Sequence, residues 1–275
     1  AIADAAREGA LATAGVASLS IFTSPGGYIL GEETALLETL EGRRGEPRDE
    51  RPLPGAHRLH GRPTLVNNVE TFAHVPRILT DGAEAWKARG RAGAPGLKFV
   101  ALAGDVERPG VYEIATGTSV RELIDVHGGG VAGARRLLGF LPGGASTALL
   151  PASRLDTPLS FDALRAAGSA LGSGAVLVLA AGRDVLAVAA DLVRFFRNES
   201  CGKCVPCRVG SQKAVEILER VLARDGDAQD LAALPALHET LTRSSICGLG
   251  QVALVPALSV LAHFPERTAP RAPRS

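Results

Sequence analysis

The residues best placed to do chemistry are four cysteines, the only ones in a chain of 275 residues. Cys201, Cys204 and Cys207 fall at C-x-x-C-x-x-C spacing in Glu199-Ser200-Cys201-Gly202-Lys203-Cys204-Val205-Pro206-Cys207-Arg208. Cys247 stands alone in Ser244-Ser245-Ile246-Cys247-Gly248-Leu249-Gly250. Three thiolates on one tight loop surround one small volume, which is what a cubane iron–sulfur cluster needs, and Cys247 supplies the fourth. No thiol is left over. Structural Zn²⁺ also accepts four thiolates and is the rival reading, although zinc sites usually draw cysteines as two C-x-x-C pairs and not as a triplet plus one. A disulfide framework needs an oxidising compartment, and neither a secretory apolar segment nor an even scatter of cysteines points to one. Lys203 and Arg208 put positive charge beside the thiolates. They either raise the potential of a bound cluster or are solvated loop charges.

The elements that must position these cysteines are helical. Apolar residues recur at three- and four-residue spacing, as in Val215, Leu218 and Leu222 and in Leu231, Leu234 and Leu241. That periodicity predicts four helices, at about 184–198, 209–223, 228–242 and 250–263, forming a C-terminal four-helix bundle. The cysteine triplet is expected on the loop between the first two helices and Cys247 on the loop before the last. Both loops can then lie at one end of the bundle, as a shared cluster requires.

Composition bounds the remaining possibilities. Lys plus Arg number 30 against 29 Asp plus Glu, a net charge of +1. A chain so balanced offers no field for a polyelectrolyte, and nucleic acid is excluded as the expected partner. Apolar runs such as 174–181 are too short to span a bilayer, so no direct membrane insertion and a cytoplasmic location are expected. Methionine is absent and residue 1 is alanine, which suggests the C-terminal portion of something longer.

In chain order, residues 1–12 read as a helix, 16–23 alternate like a strand, and Ser24-Pro25-Gly26-Gly27 make a turn. A helix begins at Glu32, with Glu33 beside it in the first turn, where carboxylates suit the positive end of the dipole. Residues 42–62 are irregular, and Val66-Asn67-Asn68-Val69-Glu70-Thr71 opens a helix that Asn67 or Asn68 could cap. A Gly- and Ala-rich linker near 89–96 is followed by strands at 98–103, 111–114, 137–141 and 175–179, with a short helix at 119–126. That order suggests a small α+β unit of β-grasp, ubiquitin-like type. Gly128-Gly129-Gly130-Val131-Ala132-Gly133 matches G-x-G-x-x-G, but it follows a helix, so the dinucleotide fingerprint is rejected. The histidines, His57, His60, His74, His127, His238 and His263, show no metal-ligand spacing.

Several stretches together resemble the flavoprotein subunit of respiratory complex I and its relatives in NAD-dependent formate dehydrogenases and bidirectional hydrogenases. They are Gly26-Gly27-Tyr28-Ile29-Leu30-Gly31-Glu32-Glu33-Thr34-Ala35-Leu36-Leu37, then Pro63-Thr64-Leu65-Val66-Asn67-Asn68-Val69-Glu70-Thr71, then 199–208, then Cys247-Gly248-Leu249-Gly250. They stand in the family's order and extend the likeness over nearly the whole chain.

The resemblance implies α/β, α+β and all-α parts. These are the C-terminal part of a Rossmann-like FMN- and NAD(H)-binding domain (1–90), a β-grasp domain (91–182), a helical bundle with a [4Fe-4S] site (183–265) and a disordered tail (266–275). It further implies an NAD(H)-dependent oxidoreductase subunit in which NAD(H) stacks on FMN and the [4Fe-4S] cluster is the first electron acceptor, so that the flavin and no side chain carries the chemistry. Tyr28, Gly31, Glu32 and Glu33 would line the flavin and nicotinamide. Val66, Asn67, Asn68 and Thr71 would hold the ribityl phosphate, and Cys201, Cys204, Cys207 and Cys247 the cluster. The family's glycine-rich flavin loop and acidic loop would precede residue 1.

Where the family has P-R-x-K-P-P-F-P, this chain has Pro47-Arg48-Asp49-Glu50-Arg51-Pro52-Leu53-Pro54, with Glu50 in place of the lysine and Arg51 as its substitute. The stretches 141–146 and 155–162, with Cys247-Gly248-Leu249-Gly250-Gln251, look most like the formate dehydrogenase β subunit; complex I, where the protein would sit at the periphery of the inner membrane, is the next choice. Other subunits of a multi-subunit oxidoreductase, iron–sulfur proteins among them, are the partners implied. A non-catalytic metal-bound scaffold is the alternative from another class.

Overall fold

The computed structural model describes residues 20–49, 59–91, 93–223 and 228–267. Its backbone contacts divide the chain into two units, residues 1–64 and 65–275. The helix expected at 1–12 and the first part of the strand expected at 16–23 lie outside the described residues, as do Glu50, Arg51 and 268–275 of the tail.

In the first unit, residues 20–23 form no strand. Alternation selects a face to bury, but a strand also needs a hydrogen-bonded neighbour. Among the described residues none is paired with this stretch, and Ile21 and Phe22 stand 63% and 51% exposed. After the turn at Gly26 and Gly27, Tyr28–Gly31 form a single tight helical turn that leads into helix α1, Glu33–Leu40. Glu32 is the N-cap, its carboxylate accepting from the Ala35 amide at 2.9 Å and from the Thr34 hydroxyl at 2.5 Å. Ala35, Leu37 and Thr39 bury one side of the helix. The aperiodic stretch after it is held by charge: Arg43 and Arg48 each pair with both Glu38 and Glu41. The Arg43 hydrogen bond, aided by Arg48 and opposed by burial, holds the Glu38 carboxyl down to about 2.

The second unit opens with α2, Val69–Asp81, and α3, Ala83–Lys87. Asn68 caps α2, its side-chain oxygen accepting from the Glu70 amide at 2.8 Å. Glu70 then ties α2 to the first strand, accepting from the Phe99 amide at 2.7 Å and from Lys98 Nζ at 2.6 Å.

The chain continues through β1, Leu97–Gly104, and β2, Gly110–Ala115, to a short helix α4, Val120–Glu122, which widens into a π-helical turn at Leu123–His127. Then come β3, Leu137–Leu141, β4, Leu150–Pro151, helix α5, Phe161–Ala166, and β5, Ala175–Ala180. The strands join one sheet in the order β2-β1-β5-β3-β4. β1 and β5 run parallel, pairing Ala101 with Ala175, and the other neighbours are antiparallel. The glycine run after α4 is a loop, with Gly128 ending the π turn.

Side chains from alternate positions, Val100 and Leu102 on β1 and Val176 and Val178 on β5, meet Phe140, Val120, Leu123, Ile124 and Leu164 in one core. Burying each such side chain contributes about 1.5–3 kcal/mol. All five residues of β3 are buried. Phe140 serves the core, while a Cβ at Gly139 would lie 3.0 Å from Phe264 on the helical side. A continuous apolar run is what a strand covered on both faces requires.

Asp105, at the end of β1, is 5% exposed. Its carboxylate accepts from the Ala180 amide at 3.0 Å, from Arg183 at 2.6 and 2.8 Å and from Arg135 at 3.0 Å. The Arg183 hydrogen bond, followed by the Ala180 amide and Arg135, outweighs burial and holds the carboxyl far below the usual range. The two arginines are half exposed and screened, so most of the value lies with the buried oxygens. Asp105→Ala is expected to cost about 2–3 kcal/mol near neutral pH. Because the folded carboxyl is depressed, its contribution is complete above the unfolded value of about 3.9 and is lost as pH falls through the folded value. Urea titrations of both proteins should therefore differ by a constant amount above about pH 5 and converge in strong acid.

The helical part comprises α6, Val185–Glu199, α7, Val205–Ala223, α8, Ala228–Ala232, α9, Leu234–Ser244, α10, Gly248–Val252, and α11, Val255–His263. Six helical segments thus replace the four expected among the described residues. Pro235 and Pro256 stand at the starts of α9 and α11. Proline lacks an amide hydrogen and fits only a first turn, so each one breaks an apolar period that reads as continuous. Among the described residues, no helix is long and apolar enough to cross a membrane.

Candidate functional site

Cys201 and Cys204 lie on the short link between α6 and α7, Cys207 in the first turn of α7, and Cys247 at the N-cap of α10. Spacing alone predicts the whole triplet on a loop. The helix instead starts at Val205, because Pro206 is well suited to a second helical position. The third cysteine is therefore held by helical backbone, and the Ser211 hydroxyl donates to its carbonyl at 2.6 Å.

Short polar contacts fold the link. Ser200 ends α6, and its hydroxyl accepts from the Gly202 amide at 3.2 Å. Gly202 has φ +78°, a conformation that a Cβ would strain. Arg208 donates to the carbonyl of Gly202 and, at 3.4 Å, to that of Lys203. Its guanidinium thus clasps the link, a more specific role than a solvated charge. On the other side, the Gln251 side chain donates to the Ser245 carbonyl at 3.1 Å and the Thr242 hydroxyl to the Gln251 carbonyl at 3.1 Å, fixing the corner between α9 and α10.

The two cysteine segments meet at Gly250. A Cβ there would fall 2.4 Å from Ser245 Oγ and 2.9 Å from Cys207 Cβ. Cys207 and Cys247 are buried, and Cys201 and Cys204 are half-buried. Burial pushes the Cys207 thiol up to about 11, the Ser200 hydroxyl pulls it back, and Cys204, Cys247 and Cys201 each raise it further by like charge. Burial likewise raises Cys247, against the pull of the Leu249 and Gly250 amides. Burial and like charge both make these thiols costly to ionise, a cost that a bound cation would offset. Among the described residues, no three Cys, His, Asp or Glu side chains gather closely enough to hold a single ion. The coupling among the cysteines is the longer-range one of like charges.

The other predicted site residues fall in two groups, each within its own unit. Tyr28, 44% exposed, and Gly31 belong to the turn before α1, Glu32 caps α1, and Glu33 stands in its first turn. In the second unit, Val66 and Asn67 precede α2, Asn68 caps it, and Thr71 lines a cavity of about 460 Å³ with Glu70, His74, Trp86 and Lys98. Sequence reasoning assigns no role to Ser200, Ser245 and Gly250. Their one available signal is position, since each lies within three residues of a cysteine.

Comparison with known proteins gives matches in the same order as these features. Residues 1–77 match the family described as Nuo51 FMN-binding domain, 99–149 the SLBB domain, and 187–271 the NADH-ubiquinone oxidoreductase-F iron–sulfur binding region. The second F-type component of NADH-quinone oxidoreductase in Rhizobium meliloti is 41% identical over 244 residues, 89% of this chain and 58% of that protein. Its counterpart in Mycobacterium bovis is 41% identical over 90% of this chain and 55% of its own length. The chain thus spans somewhat more than half the length of these relatives. Among solved structures, an NAD⁺-reducing [NiFe]-hydrogenase in its H₂-reduced state superposes with a TM-score of 0.87 at 36% identity, covering 99% of this chain and 47% of the other. With three family segments in order and relatives at this identity along nearly its whole length, the chain is similar throughout to the C-terminal portion of flavoprotein subunits such as the F component of NADH-quinone oxidoreductase.

Proposed function

We propose that this chain forms the cluster-bearing and part of the flavin-bearing portion of an NADH-oxidising subunit that takes FMN and one [4Fe-4S] cluster. The observation that carries this reading is that the cysteines lie on two segments, the α6–α7 link with the first turn of α7 and the N-cap of α10, and that these segments meet where Gly250 stands against Cys207. The donor set is all sulfur, which suits iron–sulfur chemistry. A bound flavin would exchange hydride with NAD(H), and the cluster would pass electrons on singly.

The chain's own residues hold and orient. Cys201, Cys204, Cys207 and Cys247 supply the ligands. Glu32 fixes the start of α1 and with it the turn from Tyr28 to Gly31, and Glu33, in the same first turn, is the carboxylate assigned to the nicotinamide side. The first turn of α2 presents backbone amides, as suits a phosphate, with Val66, Asn67, Asn68 and Thr71 around it. The sheet order β2-β1-β5-β3-β4 supports a β-grasp reading of 91–182, and the helices around the cysteines support a bundle at 183–265. The three family segments favour that three-part division, with a partial Rossmann-like domain at 1–90. The partners are other subunits of a complex I- or hydrogenase-type oxidoreductase, iron–sulfur proteins included. The formate dehydrogenase reading rests on 141–146, 155–162 and Cys247-Gly248-Leu249-Gly250-Gln251.

Two measurements test this. The cluster- and flavin-loaded subunit should reduce ferricyanide with NADH, and a loaded protein without that activity would favour a non-catalytic scaffold. Asn67→Ala should lose bound FMN at a nearly unchanged melting temperature. Asn68→Ala should lose FMN and also about 0.5–2 kcal/mol of stability, because Asn68 caps α2. Full flavin content in both variants would leave these residues as local structure only.

A further inference from the structure

Two serine hydroxyls lie near the buried Cys207, one touching its sulfur and one across the point beside Gly250. Ser200 Oγ is 3.2 Å from Cys207 Sγ and already accepts from the Gly202 amide, so its own hydrogen remains to be given to sulfur. Ser245 is 6% exposed, and its Oγ is buried with no hydrogen-bond partner among the described residues. Leaving a hydroxyl in that state costs about 1–3 kcal/mol, so a buried orphan calls for an acceptor. Its position names one. Ser245 Oγ and Cys207 Cβ both lie within contact distance of the point beside Gly250 where a Cβ would stand, so the hydroxyl sits at the edge of the thiol cluster. The main chain of Ser245 is already committed, its amide donating to the Leu241 carbonyl and its carbonyl accepting from Gln251. The side chain alone is uncommitted.

We infer that Ser200 and Ser245 are positioning residues that donate hydrogen bonds to the sulfur atoms of the cluster and thereby hold its reduction potential up. This rests on the cluster reading given above. Hydrogen bonds to sulfur disperse the charge that accumulates on reduction, so they favour the reduced form and raise the potential. The two donors come from different segments, one ending α6 and one following α9, so their effects should be separable. Neither hydroxyl supplies a ligand, and removing one should leave the cluster in place.

The test is a redox titration of the cluster followed by electron paramagnetic resonance, on the full subunit purified anaerobically, for wild type, Ser200→Ala, Ser245→Ala and the double variant. Iron content and melting temperature are recorded alongside. Each single variant is expected to retain full iron and shift the midpoint to more negative potential, with the double variant shifted further. Ser245→Thr, which keeps the hydroxyl, should restore the wild-type midpoint. A wild-type midpoint in iron-replete Ser245→Ala, with stability unchanged or raised, would make that hydroxyl a simple packing atom and overturn the proposal for it. The same outcome in Ser200→Ala would overturn the other half. If wild type itself lacks an iron–sulfur signal while binding zinc, the cluster reading fails first, an outcome distinct from an unmoved midpoint.

Discussion

Cys207→Ala is expected to abolish the cluster and to destabilise the helical part of the protein, the largest effect of any single substitution here. Cys207 is the most enclosed of the four thiols: it is buried, touches the Gly250 corner, and senses the other three cysteines. Truncating a buried sulfur would alone cost about 1 kcal/mol of apolar contact. A metal ligand does more, because binding free energy becomes folding free energy when the ligands come from separate segments. Here they come from the α6–α7 link and the α9–α10 corner, which the cluster would staple together. Iron and acid-labile sulfide should fall to background and the thermal transition should drop well beyond that small packing cost. A variant that keeps its iron would remove Cys207 from the ligand set. Cys247→Ala should behave alike, since without it the second segment has no tie to the metal.

Gly250→Ala should have nearly as large an effect without removing any ligand. In an ordinary helix this change stabilises by about 1 kcal/mol. At this site the added Cβ would fall 2.4 Å from Ser245 Oγ, 2.7 Å from Ser245 Cβ and 2.9 Å from Cys207 Cβ, all closer than such atoms approach. Those neighbours are buried and carry the site, so overpacking, which costs about 1–3 kcal/mol, outweighs propensity. The corner must open, and Cys247 must move away from the triplet. Iron content measured after anaerobic reconstitution should be low although all four cysteines are present. Full loading of Gly250→Ala would show that the two segments can separate without loss of the site.

How much of this is legible in the sequence depends on whether a feature is local. The C-x-x-C-x-x-C spacing is local, and the structure sets Cys201 and Cys204 on the α6–α7 link and Cys207 in the first turn of α7. The apolar runs of β3 and β5 are local too, and appear at 137–141 and 175–180. The rejected glycine motif lies in a loop after a helical turn, as its context indicates. Other features need information that lies elsewhere in the chain. Residues 20–23 alternate correctly yet find no neighbouring strand. The helices expected at 228–242 and 250–263 break where Pro235 and Pro256 demand a first turn, a signal present in the sequence but overridden there by apolar periodicity. The roles of Ser245 and Gly250 arise only when α9 and α10 bring them against Cys207, a juxtaposition that no spacing encodes. The capping of α2 by Asn68, in contrast, follows from its type and place before the helix.

The most direct test of the central claim is metal and acid-labile sulfide analysis of the protein purified without exposure to air. Iron and sulfide in equal amounts, about four of each per chain, is the predicted result. A single zinc ion with no labile sulfide would contradict it.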